Sequence, residues 1–142
     1  MTLADEARTD ILSRCTLFAG VAPEGLEILA RRATEIDFPA NHVIARQGDI
    51  GTGLFLIVSG RVRVVRDGRV LAQLSDGDFF GELSVLDRMP RTASVVVEEP
   101  VRCLALASWD FEAAVAEGPA VALAIMRGLA LRLRGLTEAD RH

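Results

Sequence analysis

The feature that most constrains this chain is a run of short β-branched segments between residues 36 and 106, each cut off by glycine or aspartate. The segments are Val43–Ala45, Leu54–Val58, Val62–Val65, Val70–Leu74, Ser94–Val97 and Val101–Leu106. Gln47-Gly48-Asp49, Ser59-Gly60, Arg66-Asp67-Gly68 and Asp76-Gly77-Asp78 separate them, and all four are turn chemistries. Asp67-Gly68 predicts a tight hairpin, because Asp-Gly tolerates the positive φ angles of a two-residue reversing turn. Val62 and Val64 alternate with Arg61 and Arg63, so this stretch has one dry face and one wet face. Many short strands at regular spacing predict a barrel or a sandwich.

Helical patterns flank the β segment. Ile11, Leu12, Cys15 and Leu17-Phe18 fall at helical spacing, and Pro23-Glu24 opens a second helix with Leu26, Leu29, Ala30 and Ala33 on one face. After the strands, Ser108 is the expected N-cap of a helix over Trp109–Glu117. Gly118-Pro119 ends that helix and starts another, to about Thr137. On this last helix Ala122, Ile125, Leu129, Leu133 and Leu136 share a face that should dock on the domain's own barrel. Arg127, Arg134 and Arg141 recur on the opposite side, where Leu123 and Leu131 also lie. The apolar surface exceeds one stripe, which predicts two packing surfaces and a homodimer contact through this helix.

Length and charge exclude several functions. The 142 residues suit one domain over 1–142, and a chain of this size buries roughly 68–70% of its unfolded surface without needing a disulfide or a metal. The net charge of −4 argues against a nucleic-acid partner, which favours a basic surplus. Cys15 and Cys103 are too few for a disulfide framework and are read as reduced, partly buried small hydrophobes. The N-terminus carries Asp5, Glu6, Arg8 and Asp10 where a signal peptide needs an apolar core, and no uncharged run is long enough to span a membrane. These features place the chain in the cytoplasm, off the membrane. His42 has only His142 as a second histidine, too little for a metal site of three or four ligands or for a cupin-like metalloenzyme. Trp109 is read as packing between helix and barrel.

One stretch breaks the β pattern. Residues 80–95 read FGELSVLDRMPRTASV. Gly81 to Leu86 suits one or two helical turns, and the start of a short helix presents unpaired N–H groups with partial positive charge. Gly81 lets a ligand approach the backbone, and Pro90 fixes the chain just before Arg91, whose planar fork holds two phosphate oxygens at once. Ser84 and Thr92 add hydroxyls. A carboxylate at Glu82 would repel a phosphate, but it suits a sugar hydroxyl on the same ligand.

FGELSVLDRMPRTASV resembles the phosphate-binding cassette of cyclic-nucleotide-binding domains, the regulatory modules of cyclic-AMP-dependent kinases, cyclic-nucleotide-gated channels and catabolite-activator-type regulators. Gln47-Gly48-Asp49, Leu54–Gly60 and Gly77-Asp78 resemble turn and strand signatures of the same fold, so the likeness spans about residues 10–135. It implies an α+β fold: a jelly-roll-like antiparallel β-roll over about 36–107, N-terminal helices over about 3–34 and two C-terminal helices over about 108–137. It implies that Glu82 accepts the ribose 2′-hydroxyl, that Arg91 pairs with the cyclic phosphate, and that Gly81, Leu83, Ser84 and Thr92 complete the contacts. A residue of the last helix caps the base in such domains, and Arg127, Leu131 and Arg134 are the candidates here. Met89 stands where relatives carry a smaller or polar residue and could crowd the turn.

The expected function is a regulatory sensor for cyclic AMP rather than an enzyme, without a separate cofactor. The alternatives are a cyclic-GMP-selective receptor and a degenerate interaction module that has lost its ligand. A DNA-binding regulator needs a helix-turn-helix domain after the last helix, and only about two dozen residues follow Pro119. The downstream partner is not legible.

Overall fold

The computed structural model describes residues 3–51, 53–81, 87 and 89–139, with the backbone alone at 132 and 137–139. Helix α1 (Asp5–Ser13) and a 3-10 turn (Thr16–Phe18) lead into α2 (Pro23–Arg32), which has its proline in the first turn and Arg31 and Arg32 in the last. Six strands follow among the described residues: β1 (Thr34–Phe38), β2 (Val43–Ala45), β3 (Gly53–Arg66), β4 (Arg69–Leu74), β5 (Phe79–Phe80) and β6 (Ser94–Ala107). Helices α3 (Ser108–Glu117) and α4 (Pro119–Ala139) close the order.

All strand pairings are antiparallel. The hydrogen-bonded path runs β1-β6-β3-β4, with β2 added to β6 and β5 to β3. Among the described residues β1 and β4 do not pair, so the expected antiparallel β-roll is a folded sheet that is not closed. The roll begins at Thr34, slightly before the expected boundary.

Two expected strand breaks are absent. Leu54–Val58 and Val62–Val65 are halves of the single strand β3, and Ser94–Val97 and Val101–Leu106 are halves of β6. Ser59-Gly60 is therefore not a chain reversal. It is the irregular centre of a long pairing, where the β3–β6 register shifts between Ile57 and Val62. The shift changes which face the side chains take. Before it, Leu54 and Leu56 pack with the helices while Ile57 faces the inside of the roll; after it, Val62 and Val64 take the inside positions.

This arrangement makes two cores. Leu54, Leu56, Leu104 and Leu106 pack against Leu12, Leu17, Phe18, Leu29, Phe111 and Ile125 of the helices. Ala45, Ile57, Val62, Phe80, Val95, Val97, Val101 and Cys103 fill the roll. Neither cysteine is in a disulfide and both are fully buried, and burial pushes the Cys103 thiol up to about 12, so it stays protonated at neutral pH. The β3–β4 hairpin closes as expected: Arg66 pairs with Arg69, and Asp67 and Gly68 take φ values of 52° and 78°.

The helices depart from the sequence reading in three places. Ala107, not Ser108, is the N-cap of α3; Ser108 is the first helical residue and is buried. Trp109 is 63% exposed rather than packed between helix and roll. On α4 the buried residues are Val121 and Ile125, with Ala124 and Leu129 partly buried, while Leu133 and Leu136 are 63% and 66% exposed. The docked part of α4 lies against the Thr16–Phe18 turn and α3. Gly128 fits beside the carbonyls of Thr16 and Leu17, and Gly20 beside that of Ala124. The helix outruns the body it packs on, so Leu133 and Leu136 on its last turns stay largely exposed. Among the described residues no single helix is long and apolar enough to cross a membrane.

Candidate functional site

The loop at residues 46–50 and the segment from Pro90 to Ser94 are laced together. The Arg91 N–H donates to the Asp49 carbonyl and the Gly48 N–H donates to the Arg91 carbonyl, both at 2.8 Å. Ile50 and Pro90 form an isolated antiparallel bridge. The Gln47 N–H donates to Ser94 Oγ at 2.9 Å. Arg91 is thus held on both sides of its own peptide unit before its side chain makes any contact, the kind of preorganisation that a ligand-binding cation requires. Pro90 suits this position, because the bridge needs an extended chain and proline fixes φ.

The Arg91 guanidinium is partly buried and donates through Nη2 to the Gly53 carbonyl at 3.1 Å. Gly81 lies directly beneath it with φ +86°, a conformation that L side chains rarely adopt. A Cβ there would collide with the Gly53 carbonyl and stand 3.0 Å from Arg91 Nη1. The structure thus brings Gly81 and Arg91 together in a way the sequence did not anticipate: the glycine leaves room for the guanidinium. Strand β5 delivers Gly81 to this point. Phe80 pairs with Phe55 in the sheet, their rings stack with centroids 5.2 Å apart, and Phe55 meets Phe38 edge-on at 6.2 Å. His42 continues this aromatic file by stacking on Phe38 at 4.9 Å.

Arg91 contributes to the wall of a cavity of about 380 Å³ with apolar sides from Ile36, Val43, Ala45, Phe55 and Ala105. Arg46 and Asp49 stand at the same cavity, and Trp109 borders it from the first turn of α3. Sequence reasoning missed Trp109 and Arg46 here; the turn signal at Gln47-Gly48-Asp49 was the available hint, since it marked the neighbouring loop.

Glu82, Leu83 and Ser84 lie outside the described residues, as do the short helix expected over them and Arg141. Thr92 is exposed next to Arg91. Met89 is exposed, with its N–H donating to the Asp87 carboxylate at 3.0 Å, so it does not crowd the turn. The three base-cap candidates are not brought to Arg91 within the chain. Arg127 borders a groove between α2 and α4 with Val21, Gly25 and Val121, and Leu131 and Arg134 are exposed on α4.

A partly buried arginine, a left-handed glycine beneath it and a loop pinned to its backbone meet at one junction inside an antiparallel roll. The family model for the cyclic nucleotide-binding domain matches residues 35–118, from β1 to the end of α3. The chain belongs to the cyclic nucleotide-binding domain family. It is 35% identical over 130 residues to a CRP-like cAMP-activated global transcriptional regulator of Mycobacterium tuberculosis, covering 88% of this chain and 58% of the relative. It is 40% identical over 129 residues to the cyclic AMP receptor protein of Thermus thermophilus, covering 87% of this chain and 58% of that protein. The chain thus spans a little over half the length of these curated relatives. Among solved structures it is similar to the N-terminal domain of a transcriptional regulator from Streptomyces coelicolor A3(2), with a TM-score of 0.84 and 33% identity over 92% of this chain and 94% of that one.

Proposed function

We propose that this chain is a cytoplasmic receptor for a cyclic nucleotide monophosphate, cyclic AMP in preference to cyclic GMP, and that it acts by binding rather than by catalysis. The observation that carries the reading is the placement of Arg91. Its backbone is clamped by Gly48 and Asp49 and its guanidinium rests over Gly81, so the fork is held ready for a phosphate. Arg91 pairs with the cyclic phosphate, Glu82 accepts the ribose 2′-hydroxyl, and Gly81, Leu83, Ser84 and Thr92 supply the remaining contacts. The names of the Mycobacterium and Thermus relatives support cyclic AMP. Thr92 pulls toward cyclic GMP, since a hydroxyl there can accept from a guanine amino group.

Two titrations test these assignments. Glu82→Ala should weaken cyclic AMP binding by about 1.5–3 kcal/mol while leaving 2′-deoxy cyclic AMP much less affected, because only the former has the carboxylate's partner. Equal losses for both ligands remove Glu82 from the ribose. Competition between cyclic AMP and cyclic GMP on the unaltered chain should favour cyclic AMP, and tighter cyclic GMP binding reverses that preference.

The output surface in this reading is α4. Leu123, Met126 and Leu133 are exposed at intervals of three and seven residues, the spacing of a helix-to-helix seam. A second copy of the chain would cover them and bring Arg127, Leu131 or Arg134 within reach of a neighbouring nucleotide. Leu129 is a poor probe of this contact, because it packs on the chain's own core. Sedimentation should therefore show a dimer that Met126→Glu with Leu133→Glu dissociates. Cyclic AMP should increase amide protection between Ala120 and Leu136. A monomer at high concentration with unchanged protection removes α4 from the signal.

A further inference from the structure

The turn that holds Arg91 is itself tied to the tip of the β3–β4 hairpin. Gln47 Nε2 donates to the Asp67 carboxylate at 2.8 Å, and the Asp67 N–H donates to Gln47 Oε1 at 3.0 Å. A glutamine amide carries a donor and an acceptor on one planar group, so it answers the carboxylate and the N–H of Asp67 together. A lysine could not accept, and a glutamate would set a second carboxylate against the first. Asp67 presents both groups because the two-residue turn holds it at φ 52°.

From Gln47 the connection to the site is short. Its own N–H binds Ser94 Oγ, and the next two residues clamp both sides of the Arg91 peptide unit. Strand β4 is exposed along nearly its whole length, with Val70 and Leu71 in solvent, so apolar burial does little to steady the hairpin.

We infer that Gln47 is a positioning residue of the nucleotide site: its side chain fastens the hairpin tip to the turn that orients Arg91. This rests on the receptor reading for its effect on affinity, but its structural half stands apart from it. Without the tie, the turn at residues 46–50 samples more conformations, and ordering it is charged against ligand binding.

The test compares the full chain with Gln47→Ala, Gln47→Glu, Asp67→Asn and the double exchange Gln47→Glu with Asp67→Asn. Each is measured by calorimetry with cyclic AMP and by amide hydrogen exchange at Gly48 and Arg91. Asparagine tolerates positive φ, so the exchange at 67 keeps the turn. The double exchange again opposes one carboxylate to one amide donor while the N–H of residue 67 keeps its acceptor.

Gln47→Ala and Gln47→Glu should each weaken cyclic AMP on the order of tenfold, the effect of losing about one net hydrogen bond's worth of order. Both should speed exchange at Gly48 and Arg91. The double exchange should return affinity to within about twofold and restore protection. Unchanged exchange in Gln47→Ala, or a double exchange no better than Gln47→Glu alone, overturns the inference. If the unaltered chain binds neither cyclic AMP nor cyclic GMP, the receptor reading fails, and the exchange measurements still decide Gln47. Faster exchange that the double exchange reverses upholds the positioning role; no change overturns it.

Discussion

Arg91→Ala should lose about 2–4 kcal/mol of cyclic AMP affinity, roughly 30- to 1,000-fold, while the chain stays folded. The two halves of this expectation have different physical origins. The loss of affinity follows from removing the planar cation proposed to face the phosphate. The neighbouring Arg46 lies at the same cavity but is exposed, and without the backbone clamps of residue 91 it cannot take over the fork geometry. The persistence of the fold follows from how this part of the chain is held together. The pairing of the loop at 46–50 with the segment at 90–94 runs through backbone groups that alanine retains. Calorimetry for affinity and a thermal melt for stability separate the two. Arg91→Lys should recover only part of the loss, since an ammonium keeps the charge but not the bidentate fork. Undiminished binding in Arg91→Ala would take the phosphate away from this residue.

Gly60→Ala should destabilise the fold by about 2–4 kcal/mol, although it removes no contact. Gly60 sits where the β3–β6 register slips, with φ +107°. Its N–H donates to the Asp76 carboxylate at 3.0 Å, which fixes the peptide in place. A Cβ added there would collide with the Pro100 carbonyl and lie 2.7 Å from the Val101 Cα. Those are backbone atoms of the partner strand, so relief requires moving β6 itself rather than a flexible side chain. Denaturant unfolding should show a lower midpoint with an unchanged slope. Gly68→Ala is the control: Gly68 also has positive φ, but nothing lies within 4 Å of its Cβ position, so only the conformational part of the penalty remains. Equal losses at the two positions would show that the close approach of β6 contributes nothing.

Gly60 also marks the boundary of what local sequence can say. Ser59-Gly60 looks like a turn because glycine with a polar neighbour is the signature of chain reversal. Whether positive φ reverses the chain or shifts a register depends on the strand alongside, which lies some forty residues away in sequence. Trp109 and α4 follow the same logic. A tryptophan at a helix start and an excess of leucines predict burial, but burial is a property of what is opposite. Helix α4 extends past the Thr16–Phe18 turn and α3, so Leu133 and Leu136 remain in solvent despite lying at helical spacing from Ile125 and Leu129.

By itself the sequence determined what interactions over a few residues control: the helix–strand–helix order, the Asp67-Gly68 hairpin, and the proline starts of α2 and α4. Tertiary structure alone decided that four apparent strands are two, that Gly81 is required beneath the Arg91 guanidinium, and that Gln47 reaches Asp67 across the turn. Each of these depends on a register between distant segments. Register is set by the summed burial of whole faces, which no short stretch of residues encodes.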